Sequence, residues 1–283
     1  MYRNLSPGAL GIHVDLKESL RLAKLGGFEG VDLDPWEVAE LVRERSADYV
    51  KDLLGELKVG GMGLPVDWKG DEKVYREDLR RLRNVLGPMR EVGCNRAYTW
   101  IPSWSEDRPF RENFRWHIER LRPIAEVLGE FGFRFGLEFL GTRTLRVGKR
   151  YPFLHTMDGM LALCAMVGEN VGLLLDSWHW YTSYGTVYEL EELEREQVVY
   201  VHINDAPRGV PVDEQMDNVR CLPGETGVID LVRFLKALRK IGYDGPVTPE
   251  PFSEKLESMA PEEAVKLVRG MLDRIWSQAD GIG

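Results

Sequence analysis

The feature that most constrains this chain is an alternation of short apolar runs with amphipathic segments, repeated eight times along the sequence. The runs are ALGIHV (9–14), GVDLD (30–34), VGGMGLP (59–65), RAYTWIP (96–102), FRFGLEFL (133–140), VGLLLDSWH (171–179), VVYVHIND (198–205) and PVTPEPF (246–252). Each is too short for a helix and nearly all are bounded on at least one side by Gly, Pro or Asp, which reads as a strand. Helical patterns fill the intervals at 15–27, 35–55, 73–92, 108–131, 157–167, 187–194, 230–241 and 261–277. Pro35 opens the second of these, since proline is tolerated in a first helical turn. Two stretches are irregular, a basic one at 142–156 and one rich in Pro, Gly and Asp at 206–229. Strands alternating with helices make a parallel α/β sheet, and eight units suit closure into a single (β/α)8 TIM barrel. No composition break interrupts residues 1–283, so one domain is expected. A doubly wound open sheet is the rival, but no GxGxxG follows the first strand.

Composition narrows the partners. The chain has 283 residues and a net charge of −9, which disfavours nucleic acid, because neutralising phosphates takes clustered Lys and Arg. No apolar run has the length of a membrane span, and MYRNLSPGALGIHVDL lacks the charged and apolar regions of a signal peptide. A cytoplasmic protein with no membrane partner is expected. Cys94, Cys164 and Cys221 show no CxxC spacing and read as reduced structural thiols.

In a barrel of this kind the chemistry sits at the strand C-termini and the loops beyond them. Glu138 (FGLEFLG), Asp176 (GLLLDSWHW), His202 (VYVHINDAP) and Glu250 (PVTPEPF) occupy those positions in four successive strands. Taken singly, each has a commoner explanation. An acid at a strand end usually caps a helix or pairs with a base, and a histidine inside an apolar strand is usually hydrogen-bonded in the core. Together they form an oxygen-and-imidazole set suited to one divalent ion, with Mn2+ favoured and Mg2+, Co2+ or Zn2+ possible. A shared cation also removes the cost of burying charged groups among apolar runs. His13, at the end of the first predicted strand, and Trp100, at the end of the fourth, are weaker substrate-contact candidates. Trp36, Trp68 and Trp104 also fall near strand ends, and aromatic rings there either stack on sugar faces or pack the core. Arg143, Arg146, Lys149 and Arg150 read as a solvated loop or as a surface for an acidic substrate or a subunit partner.

The strings LEF, LDSWH, HINDAPRG, PGETGVID and PEPF resemble the xylose-isomerase-like TIM-barrel superfamily. Within it they are most similar to the sugar phosphate isomerase/epimerase branch of ketose 3-epimerases, inosose isomerases and inosose dehydratases. The resemblance implies that Glu138, Asp176, His202 and Glu250 bind one metal ion and that Glu138 and Glu250 double as the catalytic acid/base pair. It assigns substrate contacts to His179, three residues after Asp176, and to Arg208, six after His202, and it places Glu225 near the site. It also implies a homodimer or homotetramer. The reaction expected is proton transfer alpha to the carbonyl of a ketose or cyclic polyol ketone, through a metal-stabilised enediolate. Two carboxylates on opposite faces permit epimerisation, one face suffices for isomerisation, and a base with an acid for the departing hydroxyl permits inosose-type dehydration. The epimerases often carry a second Glu six residues after the strand-five ligand, where this chain has Thr144. That departure leaves room for an isomerase or a dehydratase.

Two readings from other classes fit the sequence less well. A DNA-repair nuclease similar to endonuclease IV would need extra histidines on strands three and four and an Asp-x-His pair after strand seven. GLPVDW, TWIPSW and VDEQMDNVR supply none of these. A non-catalytic sugar-binding barrel would have no need for both Glu138 and Glu250.

Overall fold

The computed structural model describes residues 1–281. In chain order the strands are β1 (Tyr2–Leu5), β2 (Gly30–Val31), β3 (Lys58–Val59), β4 (Met62–Gly63), β5 (Arg96–Ile101), β6 (Trp104–Ser105), β7 (Arg134–Phe139), β8 (Tyr151–Pro152), β9 (Val171–Asp176), β10 (Val198–Ile203) and β11 (Pro246–Pro249). The helices are α1 (Leu16–Gly26), α2 (Pro35–Glu44), α3 (Ala47–Leu54), α4 (Glu72–Glu91), α5 (Phe110–Glu130), α6 (Met157–Val167), α7 (Ser177–Thr182), α8 (Val187–Glu191), α9 (Leu231–Lys240), α10 (Glu254–Glu257) and α11 (Pro261–Ala279).

Nine strands form one parallel sheet in the order β3-β2-β1-β11-β10-β9-β7-β5-β4. Its two ends, β3 and β4, are halves of one chain segment separated by Gly60 and Gly61, so the sheet is the eight-rung TIM barrel that the repeat predicts. The break has a steric cause. A Cβ on Gly60 would lie 2.4 Å from both Asn4 Oδ1 and Asp32 Oδ1, so the segment passes the barrel interior only as glycine. Among the described residues no helix is long and apolar enough to cross a membrane.

The first strand is Tyr2–Leu5 rather than 9–14. Pro7–Leu10 coil into a 3-10 turn closed by Gly11 at φ +76°, and Leu10 and Ile12 are buried from that turn. The polar Asn4 hid the true strand from a hydrophobic pattern. Its amide nitrogen lies inside the barrel and donates to Asp32 Oδ1 (2.9 Å), Tyr200 OH (3.0 Å) and Thr248 Oγ1 (3.0 Å). The sixth predicted strand also stops early, at Asp176, whose carboxylate accepts from Trp178 N–H (2.8 Å) and caps α7. Trp178 and His179 therefore lie on a helix. The basic stretch after β7 is tied down by β8, which pairs antiparallel with β6 and links two loops at the barrel mouth.

Candidate metal centre

Strand periodicity selects the side chains that reach the barrel axis. Glu138 is in register with Leu174, which places Asp176 two residues further along the same face. His202 is in register with both Asp176 and Thr248, and Glu250 follows Thr248 by two. The four residues thus project from one end of the barrel, and one donor atom from each lies within 4.8 Å of the others. Among the described residues no other group of His, Cys, Asp or Glu brings three or more donors so close. Asp176 is fully buried, Glu138 and His202 nearly so, and the Glu250 side chain is 17% exposed.

His202 Nδ1 stands between the two glutamates, 3.6 Å from Glu138 Oε1 and 3.3 Å from Glu250 Oε2. Neither His202 Nδ1 nor Glu138 Oε1 has a hydrogen-bond partner of acceptable geometry, although both are buried. Buried polar atoms are rarely left orphaned. Two such atoms facing each other, in a set of three carboxylates and one imidazole, fit a divalent ion. Burial raises the Glu138 pKa to about 8, against the lowering effect of His202. Burial works in the same direction on Glu250 but is outweighed by His202 and Arg220, which hold it at about 2. Burial would lower His202, yet Glu250 and Glu138 raise it well above its ordinary value. The two glutamates thus draw part of the balancing positive charge onto the imidazole between them.

Arg220 supplies the rest. Its Nη1 donates to Asp176 Oδ2 (2.8 Å) and Glu250 Oε2 (3.1 Å), and its Nη2 donates to Asp217 Oδ1 (3.1 Å). The guanidinium packs 4.4 Å from the Phe252 ring centre and 5.3 Å from that of Trp178. Sequence reasoning missed both Arg220 and Asp217. Two arginines, Arg208 and Arg220, lie in the Pro-, Gly- and Asp-rich loop after β10, and nothing local distinguishes them. His179 does reach the site. Its Nδ1 accepts from Gly141 N–H (3.2 Å), which leaves the hydrogen on Nε2, 3.6 Å from Asp217 Oδ1. Beneath the cluster, Asp32 accepts from Tyr98 OH (2.7 Å) and Tyr200 OH (2.6 Å), and burial raises its pKa.

The cluster opens into a cavity of about 710 Å3 whose lining includes Glu138, Glu250, His179, Arg220 and Trp100. Trp100 is 46% exposed and is the register partner of Glu138. Three predicted contacts lie elsewhere. Arg208 donates to the Thr226 carbonyl on the outer side of the loop, outside the cavity lining. Glu225 is exposed and accepts from Leu222 N–H (2.9 Å), a bond that orders its own turn. His13 is exposed in a separate depression beside Asp34 and Glu37, because the first strand ends at Leu5 and not beside it. Thr144, in place of the second acid of the epimerases, donates to the Gln215 carbonyl (2.8 Å).

Comparison with known proteins agrees with the fold. A family model described as xylose isomerase-like TIM barrel matches residues 20–275. An inosose isomerase of Bacillus velezensis is 24% identical over 272 residues, 93% of each chain. A ketose 3-epimerase of Arthrobacter globiformis is 31% identical over 164 residues, 56% of this chain and 48% of that protein. Among solved structures, a xylose isomerase domain protein from Alicyclobacillus acidocaldarius superposes with a TM-score of 0.88 at 29% identity, covering 99% of both chains.

Proposed function

The chain belongs to the xylose isomerase-like TIM-barrel family, and we propose that it is a divalent-metal-dependent sugar isomerase or epimerase acting on a ketose or cyclic polyol ketone. The observation that carries this reading is the convergence of Glu138, Asp176, His202 and Glu250, with two buried atoms left unpaired at their centre. It is supported by the resemblance to an inosose isomerase and a ketose 3-epimerase. Asp176 and His202 would hold the ion, with Mn2+ favoured, and Glu138 and Glu250 would both hold it and move protons. The ion would supply positive charge beside the oxygen that becomes negative when the alpha proton leaves.

The protein's own part is placement. Glu138 ends β7 and Glu250 follows β11, and β9 and β10 separate these strands in the sheet. The two carboxylates would then flank a bound substrate, one taking a proton while the other returns one to the opposite face. Asp176 is fixed by Asn204 Nδ2 (3.0 Å) and Trp178 N–H (2.8 Å), which limits its motion during the transfer. His179 and Arg220 stand at the wall between the cluster and the cavity, placed to donate to a substrate oxygen. Dehydration by the same pair is the second reading. Thr144 favours it, because a hydrogen bond to the Gln215 carbonyl occupies the hydroxyl where a further acid would serve epimerisation. We take the chain to work as one cytoplasmic domain, as a homodimer or homotetramer.

The test is deuterium uptake. Chelator-stripped protein reloaded with Mn2+ is incubated in D2O with ketoses, aldoses and inososes, and epimerised, isomerised and dehydrated products are read separately. Exchange alpha to the carbonyl that requires the ion supports the proposal. An ion-loaded protein that exchanges no proton in any of these substrates would refute it.

A further inference from the structure

The cavity reaches well past the carboxylate cluster, and its far wall contains a buried group that the proposed chemistry leaves unused. His117 on α5 is 1% exposed and lies in an aromatic box, with ring centres 4.7 Å from Phe153, 5.0 Å from Trp116 and 5.4 Å from Trp68. Its Nδ1 is 2.7 Å from the Asn113 carbonyl oxygen, so Nδ1 carries the hydrogen and Nε2 is a bare acceptor. Nε2 is buried and has no partner, yet the residue lines the cavity. Burial, helped by the nearby charges of Arg108 and Lys69, lowers its pKa to about 4, so protonation does not relieve it at neutral pH. An unmet buried acceptor needs a hydrogen brought to it, and a substrate hydroxyl is a group the cavity can bring.

Two cations border the same wall. Lys69 Nζ lies 3.3 Å from the Trp100 ring centre and 5.2 Å from that of Trp68. The Arg108 guanidinium lies 4.3 Å from the ring centre of Trp116. Among the described residues neither cation makes an ion pair with a carboxylate. Of the acids nearby, Glu106 is taken up by Lys149 (3.4 Å), and Asp107 stands at the exposed rim. Asp67 opposes the burial of Lys69 only in part, and the Lys69 pKa falls to about 8. Trp100 joins this wall to the metal centre, because it carries Lys69 on its ring and is in register with Glu138.

Resting on the reading of this cavity as the site of a sugar or polyol ketone enzyme, we propose that the substrate is anionic. It is a polyhydroxy ketone bearing a carboxylate, which Lys69 and Arg108 hold against the tryptophan faces while a hydroxyl donates to His117 Nε2. A neutral ketose would leave both cations without an ion-pair partner. A carboxylate offers two acceptor oxygens, one for each, and positions the carbonyl end of the molecule at Glu138 and Glu250.

The test reads binding, so that this inference and the proposed activity fail separately. Mn2+-loaded protein is titrated calorimetrically with two unreactive probes. Quinate is a cyclic polyhydroxy carboxylate, and myo-inositol is a cyclic polyol without the carboxylate. Quinate is expected to bind at least about tenfold more tightly, a difference of about 1.4 kcal/mol. In the Lys69→Met/Arg108→Met double variant the preference should fall to within about threefold, and the charge-conserving Lys69→Arg/Arg108→Lys pair should retain it. His117→Phe fills the same box without an acceptor and should weaken both probes alike. Quinate binding no tighter than myo-inositol, including no detectable binding of either, would overturn the proposal. So would a preference that survives the double methionine variant, since it would then arise from the ion. Preference without proton exchange would leave the anionic pocket standing and remove the catalytic reading.

Discussion

Replacing Arg220 by methionine tests how the centre is neutralised when no ion is bound. The guanidinium bonds Asp176 (2.8 Å), Glu250 (3.1 Å) and Asp217 (3.1 Å), and its side chain is 1% exposed. Methionine keeps much of the volume and the contacts with Trp178 and Phe252, so the main loss is charge. Removing one partner of a buried pair costs about 3–5 kcal/mol. Glu250 and Asp217 keep 17% and 25% of their side-chain surface in water, which places this site at the lower end, about 3 kcal/mol. At about 2–4 °C per kcal/mol for a chain of this size, chelator-treated Arg220→Met should melt about 6–12 °C below the parent. Mn2+ should then narrow that difference, because an ion and a guanidinium answer the same oxygens. At about 100 times its Kd the ion contributes about 2.7 kcal/mol, and more where it binds the variant more tightly. Thermal and urea unfolding with chelator and with Mn2+ measure both quantities. A loss below about 1 kcal/mol in chelator, or a difference that Mn2+ leaves unchanged, would show that Arg220 and the ion do not share the carboxylates.

Three further outcomes are expected. Glu138→Gln and Glu250→Gln are nearly isosteric and should leave the fold intact, Glu250→Gln with a lowered melting temperature because it removes the charge facing Arg220 and His202, while each lowers turnover by about 100-fold or more in the deuterium-exchange assay. Activity retained in either variant would remove the two-carboxylate mechanism. His179→Ala leaves the Gly141 N–H without its acceptor, a cost of about 1–3 kcal/mol, and should raise KM or lower kcat without releasing the ion. Ion loss in that variant, read by elemental analysis, would place His179 among the ligands. Finally, the His202 pKa is raised and that of Glu138 lies at about 8, so protons compete with an ion for both side chains. Apparent Mn2+ affinity should therefore rise with pH between about 6 and about 8, by up to about tenfold per unit for each proton released. A pH-independent Kd over that range would contradict the assignment.

The barrel and the quartet were legible in the sequence for one physical reason. Strands of a parallel barrel are buried on both faces, so they stand out as apolar runs, and a charged residue at the end of such a run needs a special explanation. Period-two geometry then carries Glu138, Asp176, His202 and Glu250 to one end of the barrel without knowledge of the loops. The same pattern failed at β1, where Asn4 is polar because it is hydrogen-bonded inside the barrel.

Tertiary structure decided which loop residues join them. The Asp205 carboxylate accepts from Thr226, Gly227 and Ile229 N–H, while the Asp205 and Cys221 backbones pair with each other (2.8 and 3.0 Å). That fold-back brings Arg220, next to Cys221, against the end of β10 and turns Arg208 outward to the Thr226 carbonyl. The far wall depends likewise on segments distant in sequence, with Lys69 after β4, Arg108 and His117 at α5 and Phe153 after β8. Strand ends are positioned by a local repeat that a sequence displays. Loop residues are positioned by hydrogen bonds between segments far apart in the chain, and only the folded barrel brings those bonds into being.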